Sequence, residues 1–338
     1  MIEARIDEDI IVVGGGASGL MAAGRAAQCG VGVMLLEKTG GIGKKILVSG
    51  KTRCNLTNSA DLKKFISMYG PNGRFLHSAF HLFFRPELIA FCERYKLKTK
   101  TERGGRIFPL SDNARDVVDV FKKYLSENNV RIILRSAIDK IARDEKGLFS
   151  VKTSGQNYFS RCVILAAGGS SWPETGSSGD GCKLASQMGH TVVEPRPALV
   201  PLIVYEKGLT RSMQGVSLRN VRATAFRGTA EDIKLNLVPN INYGRGEAKQ
   251  AKAPVIESRF GEMLFTHFGL GGPIILLMSL AVVDALREGP ACILIDLKPA
   301  LSVQQLNKRL QKNFDTHGKK KIISVMKDYL PSKMIEPV

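Results

Sequence analysis

The hydrophobic pattern at the start of the chain predicts a strand, a helix and a second strand. Residues 10–13 (Ile-Ile-Val-Val) form a short, fully apolar run, which is typical of a parallel strand buried on both faces. A glycine-rich turn follows, and residues 20–28 then have helical periodicity, with Gly30 placed to cap the helix end. A second apolar run at 33–36 ends at Glu37. The order indicates a βαβ unit with an acidic residue after its second strand.

The pattern up to residue 195 predicts further helices and strands. Helical periodicity covers 86–95 and 114–126, and strand-like runs lie at 130–134, 137–142, 149–153, 158–160 and 162–169. The segment 40–58 is too rich in Gly, Lys, Ser, Asn and Thr for a regular element. A connection of that length is usually functional, so we interpret it as a functional loop, with a surface loop as the alternative.

Beyond residue 195 the pattern predicts a strand-rich region followed by helices. Strand-like runs lie at 200–205, 221–226, 233–238 and 292–297, around a helix at 273–286. Two basic amphipathic helices are predicted at 302–313 and 319–330. No internal repeat is evident in the sequence.

The glycine-rich turn carries the first indication of chemistry. Its GxGxxG spacing sits between a predicted strand and a predicted helix, where Gly14 permits the tight turn, Gly16 lets the backbone approach a pyrophosphate and Gly19 allows close packing. Glu37 is placed to accept hydrogen bonds from a ribose diol. The alternative is a glycine turn with an incidental acidic residue. A helix, a strand meander and a returning strand that ends in glycine favour FAD over a plain nicotinamide site.

Composition excludes several classes of protein. The 338 residues are 44% hydrophobic, enough for the cores of two domains. The longest apolar run, 273–283, has about half of the roughly 20 residues that cross a bilayer, so we predict no membrane partner. The first residues lack the apolar core of a signal peptide, which predicts a cytoplasmic location. The six cysteines form no CxxC pair and have no His at metal spacing, so we predict neither a disulfide framework nor a metal site.

The charge of the chain leaves two interpretations open. Forty-nine Lys and Arg against 31 Asp and Glu give a net charge of +18, and the densest basic stretch is 308–333. A solvated helix face is the favoured interpretation, and contact with a nucleic acid or another anionic surface is the other.

Six stretches of the chain resemble one family, the BaiN-like NAD(P)/FAD-dependent oxidoreductases, also described as aminoacetone-oxidase-like flavoproteins. They are VGGGASGLMAA (13–23), GKKILVSGKTRCN (43–55), GRIFP (105–109), GGSSWPETGSSGDG (168–181), RPALVPL (196–202) and LFTHFGLGGP (264–273). The resemblance implies an α/β fold: an FAD-binding Rossmann-like domain of the glutathione-reductase type, with an inserted β-rich, barrel-like domain and a small helical piece. We place the three domains at 1–195, 196–300 and 301–338.

The resemblance also implies a cofactor and the residues that bind it. FAD is the cofactor, and NAD(P)H is a transient electron donor, because the chain has only one dinucleotide fingerprint. The cofactor-binding residues carried over are Gly14, Gly16, Ala17, Ser18, Gly19, Glu37, Lys38, Lys45, Gly50, Arg53, Cys54, Asn55, Ile138, Gly168 and Gly169. Family members close the flavin site with a later Gly-Glu-x-x-Asp and Gly-Gly-Tyr-Asn segment that we do not find in this sequence. We therefore expect weakened flavin binding and substoichiometric FAD in the purified protein.

No catalytic residue is assigned, because a flavin exchanges the hydride itself and the protein mainly orients the substrate. Cys54 is interpreted as a packing residue, with a redox thiol as the alternative, and no partner cysteine lies nearby in the sequence. His77 and His81 have i, i+4 spacing without a third metal ligand. His267 is interpreted as a structural residue, with contact to substrate or a role as an acid as the alternative. Asp180 is interpreted as the first residue of a helix or as a cofactor contact.

Three functions follow from these observations. The leading hypothesis is an FAD-dependent oxidoreductase that transfers a hydride between the flavin and either a small organic substrate or NAD(P)H. The alternatives are a flavin-dependent RNA-modifying protein and a truncated, non-catalytic nucleotide-binding relative. The substrate, the direction of the reaction, the nicotinamide preference and the oligomeric state are not predicted.

Overall fold

A computed structural model describes residues 6–237 and 254–337 of the chain, which divides into two compact units, 1–195 and 196–338. Unit 1 contains nine described strands: β1 Glu8–Val13, β2 Val33–Leu36, β3 Thr57–Asn58, β4 Thr99–Thr101, β5 Arg106–Pro109, β6 Arg131–Ile133, β7 Ile138–Arg143, β8 Phe149–Thr153 and β9 Asn157–Leu165. Its α-helices are α1 Ala17–Gln28, α2 Lys44–Val48, α3 Leu62–Ser67, α4 His77–Leu82, α5 Arg85–Arg94, α6 Ala114–Glu127 and α7 Asp180–Gln187. Single 3₁₀ segments lie at Gly70–Leu76 and Pro173–Thr175.

A six-stranded sheet with the order β6-β2-β1-β9-β8-β7 forms the centre of unit 1. Strands β6, β2, β1 and β9 are parallel, and β9, β8 and β7 form an antiparallel meander. A second, three-stranded antiparallel sheet has the order β3-β5-β4, with β5 in its centre. The predicted βαβ unit is confirmed, and β1 lies between β2 and β9 as the fully apolar run requires.

Both faces of the central sheet are covered, which explains why its inner strands do not alternate between apolar and polar residues. Val12 and Leu35 pack on one face with residues of α1 and α6, such as Leu20 and Phe121. The neighbouring strand positions point to the other face, where Ile11 and Met34 join a second core that includes Leu184 of α7. Because β1, β2 and β9 are parallel, their carboxyl ends meet at one edge of the sheet.

Unit 2 is built on a five-stranded antiparallel sheet. Its strands are β10 Leu202–Ile203, β11 Ser217–Arg227, β12 Val255–Phe265, β13 Gly269–Gly271 and β14 Ala291–Asp296, in the order β10-β13-β12-β11-β14. Its helices are α8 Lys207–Ser212, α9 Ala230–Leu237, α10 Pro273–Ala285, α11 Val303–Thr316 and α12 Ile322–Met326, followed by a 3₁₀ segment at Ser332–Met334. The β-rich character predicted for this region is confirmed.

The core of unit 2 lies between its sheet and α10. Ile275 and Met278 of α10 are fully buried against Ala223 of β11 and Met263 of β12. Met334, from the C-terminal segment that the sequence suggests as a separate helical piece, is buried in the same core. The three-domain division itself stays a prediction.

Several local predictions are wrong. The predicted strand 233–238 lies in α9 as far as residue 237, because Thr229 and Asp232 hydrogen-bond reciprocally at the start of that helix; residue 238 lies outside the described residues. The segment 40–58 is not irregular throughout, since α2 and β3 lie within it. The runs 158–160 and 162–169 are not two strands: residues 157–165 form the single strand β9, and residues 166–169 lie beyond its end. The helix predicted at 319–330 is only the five residues of α12.

Among the described residues, no helix is both long enough and apolar enough to cross a membrane.

Candidate functional site

A cavity of about 430 Å³ opens at the carboxyl edge of the central sheet of unit 1. The ends of β1, β2 and β9 form its floor, and α1, α2 and the start of α7 surround it. Of the predicted cofactor-binding residues, those that line this cavity are Gly14, Gly16, Ala17, Ser18, Glu37, Lys38, Lys45, Cys54, Asn55, Ile138 and Gly168. Residues far apart in the sequence therefore meet around one space.

The glycine turn brings bare backbone to the cavity wall. Gly14 has φ +110°, and a Cβ there would lie 2.4 Å from the carbonyl oxygen of Ala166, so the turn can pack against β9 only with glycine. At Gly16 a Cβ would meet nothing within 4 Å, because the cavity is on that side. Gly16 is the N-cap of α1, and neither a capping side chain nor an acidic residue covers that helix end. A helix end of this kind has free N–H groups and a positive dipole, which suit an anion.

Glu37 is held in place beside the glycine turn. Its carboxylate accepts the N–H of Gly15 and the N–H of Thr39, each at 2.7 Å, and the residue is only 9% exposed. Each carboxylate oxygen retains a further lone pair, so a hydroxyl of a bound ribose can still donate to it. Glu37 directly follows β2 and lines the cavity, and its contact with a ribose stays a prediction.

Two lysines tie the segment 171–180 to the cavity wall. Lys45 donates to the hydroxyl of Ser177 at 2.7 Å and to the carbonyl of Ser171 at 2.8 Å. Lys38 donates to Ser178 at 2.6 Å and pairs with Asp180, and its hydrogen bond is the main cause that lowers the pKa of that carboxyl. Nothing local in the sequence indicates these pairings, since the partners lie more than 120 residues apart.

Asp180 is the first residue of α7, which confirms one of its two interpretations. It also lines the cavity, and its contact with a cofactor stays a prediction. Its negative charge lies at the positive end of the helix dipole.

The other wall of the cavity is apolar and carries Cys54. Leu88, Val117 and Phe121 from α5 and α6 line it, and sequence periodicity marks them as core residues without indicating a cavity. Burial raises the pKa of the Cys54 thiol, while a hydrogen bond with Ser49 partly offsets that rise.

A second thiol lies close to Cys54, which the sequence did not indicate. Burial raises the pKa of Cys92 to about 11, with a smaller contribution from Cys54, so the two groups interact electrostatically. A raised pKa lowers the thiolate fraction of both groups and makes them weaker nucleophiles than an exposed thiol. The packing interpretation of Cys54 is the one that agrees with this environment.

Four predicted residues do not line the cavity. Gly19 packs on Gly14, Gly50 lies against the backbone of Asn55, and the carbonyl of Gly169 accepts the N–H of Gly179 at 3.1 Å. Arg53 pairs with Glu102 and Asp112 instead of pointing into the cavity.

The three histidines considered in the sequence do not line the cavity. His77 and His81 stack on each other at 4.3 Å, and the described residues contain no group of three or more potential metal ligands. His267 has its ring edge-on to Phe268.

The residues around the cavity fit FAD. The open face at Gly16 and the uncapped end of α1 suit a pyrophosphate. Lys45 donates to neutral oxygens and therefore adds positive charge, whereas the charge of Lys38 is paired with Asp180. Glu37 suits a ribose, and the apolar wall suits an aromatic ring system. These features together describe the dinucleotide site of a Rossmann-type domain, at the carboxyl ends of parallel strands.

The chain belongs to the HI0933-like family. The family model of the HI0933-like protein Rossmann domain matches residues 8–272, which include the whole cavity.

Two curated relatives cover nearly all of the chain. It is similar to the 3-dehydro-bile acid delta(4,6)-reductase of Clostridium scindens, with 31% identity over 96% of this chain and 73% of the relative. It is also similar to the ribosomal RNA dihydrouridine synthase of Escherichia coli, with 28% identity over 97% of this chain and 72% of the relative.

One solved structure with a partly similar fold is the 3-ketosteroid-delta4-(5alpha)-dehydrogenase of Rhodococcus jostii RHA1, with 17% identity and a TM-score of 0.39. The match covers 49% of this chain and 47% of that one.

Proposed function

We propose that this chain is an FAD-dependent oxidoreductase that transfers a hydride between the flavin and either a small organic substrate or NAD(P)H. The observation that carries the proposal is the uncapped N-terminus of α1, which faces the cavity across Gly16, with Glu37 held beside it. Membership of the HI0933-like Rossmann family and 31% identity to a reductase support it.

Each part of the cavity wall has a separate task in this proposal. Bound FAD supplies an N5 atom that accepts or donates a hydride. The N–H groups of α1 would hold the pyrophosphate, and Glu37 would hold a ribose hydroxyl. Lys45 would offset the negative charge of the phosphates. Leu88 and Phe121 would exclude water from the ring system. No side chain is assigned to proton transfer.

A spectroscopic experiment tests the proposal. NADH or NADPH is added to a mixture of the protein and FAD under anaerobic conditions. Loss of the visible flavin absorption reports reduction of the flavin. Small organic substrates, among them a 3-dehydro-bile acid, are then added in turn, and return of the absorption reports hydride transfer to a substrate. We expect reduction by at least one nicotinamide and reoxidation by at least one organic compound. A flavin that binds but is never reduced would favour the non-catalytic alternative.

The RNA-directed alternative is not favoured. The relatives named as ribosomal RNA dihydrouridine synthases are 28% and 27% identical, below the 31% of the reductase. The high positive charge is its remaining support, and binding that depends on charge would fall steeply with salt. Filter binding of RNA at a series of salt concentrations tests the RNA-directed alternative. No binding at low salt would exclude it. The cytoplasmic location stays a prediction.

A further inference from the structure

The turn that brings Cys54 and Asn55 to the cavity has an unusual backbone. The φ angle is +56° at Gly50, +58° at Lys51, +66° at Thr52 and +62° at Cys54. Three of these four residues carry a Cβ, which disfavours the left-handed region. A conformation of this kind persists only where the surrounding structure imposes it. The turn has a hydrogen bond of its own, from the Cys54 N–H to the Ser49 carbonyl at 3.0 Å, and contacts from outside the turn add to it.

Arg53, inside this turn, makes the side-chain contacts that fix it. Its Nη1 and Nη2 atoms donate to the two carboxylate oxygens of Glu102 at 2.8 and 3.3 Å, and Nη1 also lies 3.3 Å from Asp112. The centre of the guanidinium lies 4.1 Å from the centroid of the Phe108 ring. A planar fork that pairs with a carboxylate and stacks on a ring is specific to arginine.

These contacts connect the turn to elements that are fixed elsewhere in unit 1. Phe108 is 1% exposed and lies in β5, and Glu102 follows directly after β4. The carbonyl of Thr52 accepts the N–H of Ala114, the first residue of α6, at 2.9 Å. The β4–β5 pair and α6 thus hold the turn from two sides.

The consequence reaches the cavity through the next two residues. The side chain of Arg53 does not line the cavity, whereas Cys54 and Asn55 both do. We propose that Arg53 is a positioning residue, whose pairing with Glu102 and stacking on Phe108 fix the turn so that Cys54 and Asn55 contact an FAD-type dinucleotide. This inference rests on the proposed function, in which the cavity binds FAD.

Glu102→Gln separates this role from a direct contact between Arg53 and a phosphate. If Arg53 positions the turn, Glu102→Gln and Arg53→Lys each weaken FAD binding about tenfold, as loss of a charge-assisted hydrogen bond does. Adding Glu102→Gln to Arg53→Met then causes no further loss, because the two residues act as one unit. If Arg53 binds a phosphate, Glu102→Gln frees the guanidinium and leaves FAD affinity unchanged or tighter. That result overturns the inference.

Affinity is measured from the quenching of FAD fluorescence during titration. The matched control is Asp119→Asn, which breaks the exposed ion pair with Lys122 on α6 and leaves FAD affinity unchanged. Thermal unfolding of each FAD-free variant verifies that it is folded.

A second readout does not need FAD. Alkylation of Cys54 in the FAD-free protein is followed by mass spectrometry of its peptide, with Cys162, which is exposed, as the internal reference. A loosened turn exposes Cys54, so the alkylation rate of Cys54 rises about tenfold in Glu102→Gln. Equal rates in wild type and variant overturn the positioning role. A wild-type protein that binds no FAD defeats the proposed function instead, and the alkylation rates still decide the role of Arg53.

Discussion

The substitution Gly16→Ala separates binding of the dinucleotide from stability of the fold. Gly16 has φ −81° and ψ −179°, which any residue adopts, and a Cβ there meets no protein atom within 4 Å. The added methyl group instead enters the space where a pyrophosphate would approach the end of α1. Gly14→Ala is the contrasting variant, because its Cβ would lie 2.4 Å from the carbonyl oxygen of Ala166 at φ +110°.

The magnitudes follow from these two environments. One extra methyl group in a filled site costs about 1–3 kcal/mol, so Gly16→Ala weakens FAD binding roughly fivefold to 150-fold. The stability of the FAD-free protein changes by less than about 1 kcal/mol, because alanine loses less chain entropy on folding but is a poorer N-cap than glycine. Gly14→Ala loses stability as well as binding.

Fluorescence titration with FAD and urea unfolding of the FAD-free protein measure the two effects separately. If Gly16→Ala binds FAD as tightly as the wild type does, the phosphates do not approach this part of the backbone and the reasoning is refuted.

Three further predictions concern titratable groups in unit 1. Glu37→Gln replaces an oxygen that accepts a backbone N–H and destabilises the FAD-free protein by about 1–3 kcal/mol in urea unfolding; an unchanged midpoint would contradict the buried pairing. The pKa of Asp180 is lowered mainly by Lys38, so its pairing stabilises the fold above pH 3.8 and is lost as the pH falls through the lowered value. Asp180→Asn should therefore lose less stability in acid than the wild type does. The same dependence of unfolding free energy on pH in both proteins would contradict this prediction. Burial raises the pKa of Cys92 to about 11, so its alkylation at about pH 8 should be far slower in the folded chain than in urea, and equal rates would show that it is accessible.

The parts of the fold that were predictable from sequence are those with a local cause. The apolar run of β1, the glycine turn and the acidic residue after β2 follow one another within 30 residues, and each has a direct physical role. Gly14, Gly16 and Glu37 were therefore predicted at the positions where the structure places them around the cavity. The contacts of these residues with FAD stay a proposal.

Long-range pairing was not predictable in the same way. Lys45 meets Ser177 across 132 residues, and Arg53 meets Glu102 across 49, without any periodic pattern that links them. The segment Val255–Phe265 was not identified as a strand, because its many polar residues hide the alternation, yet it pairs along its length with β11. Such contacts depend on the tertiary fold and have no signature in a local window.

The most direct test of the central claim is equilibrium dialysis of the purified protein against FAD, with the visible spectrum recorded on both sides of the membrane. We predict saturable binding of one FAD per chain, with the two visible absorption bands of oxidised flavin on the protein side. Gly16→Ala should bind FAD more weakly than the wild type does. Equal FAD concentrations on both sides at every total concentration would contradict it, because the cavity at the glycine turn would then not be a dinucleotide site.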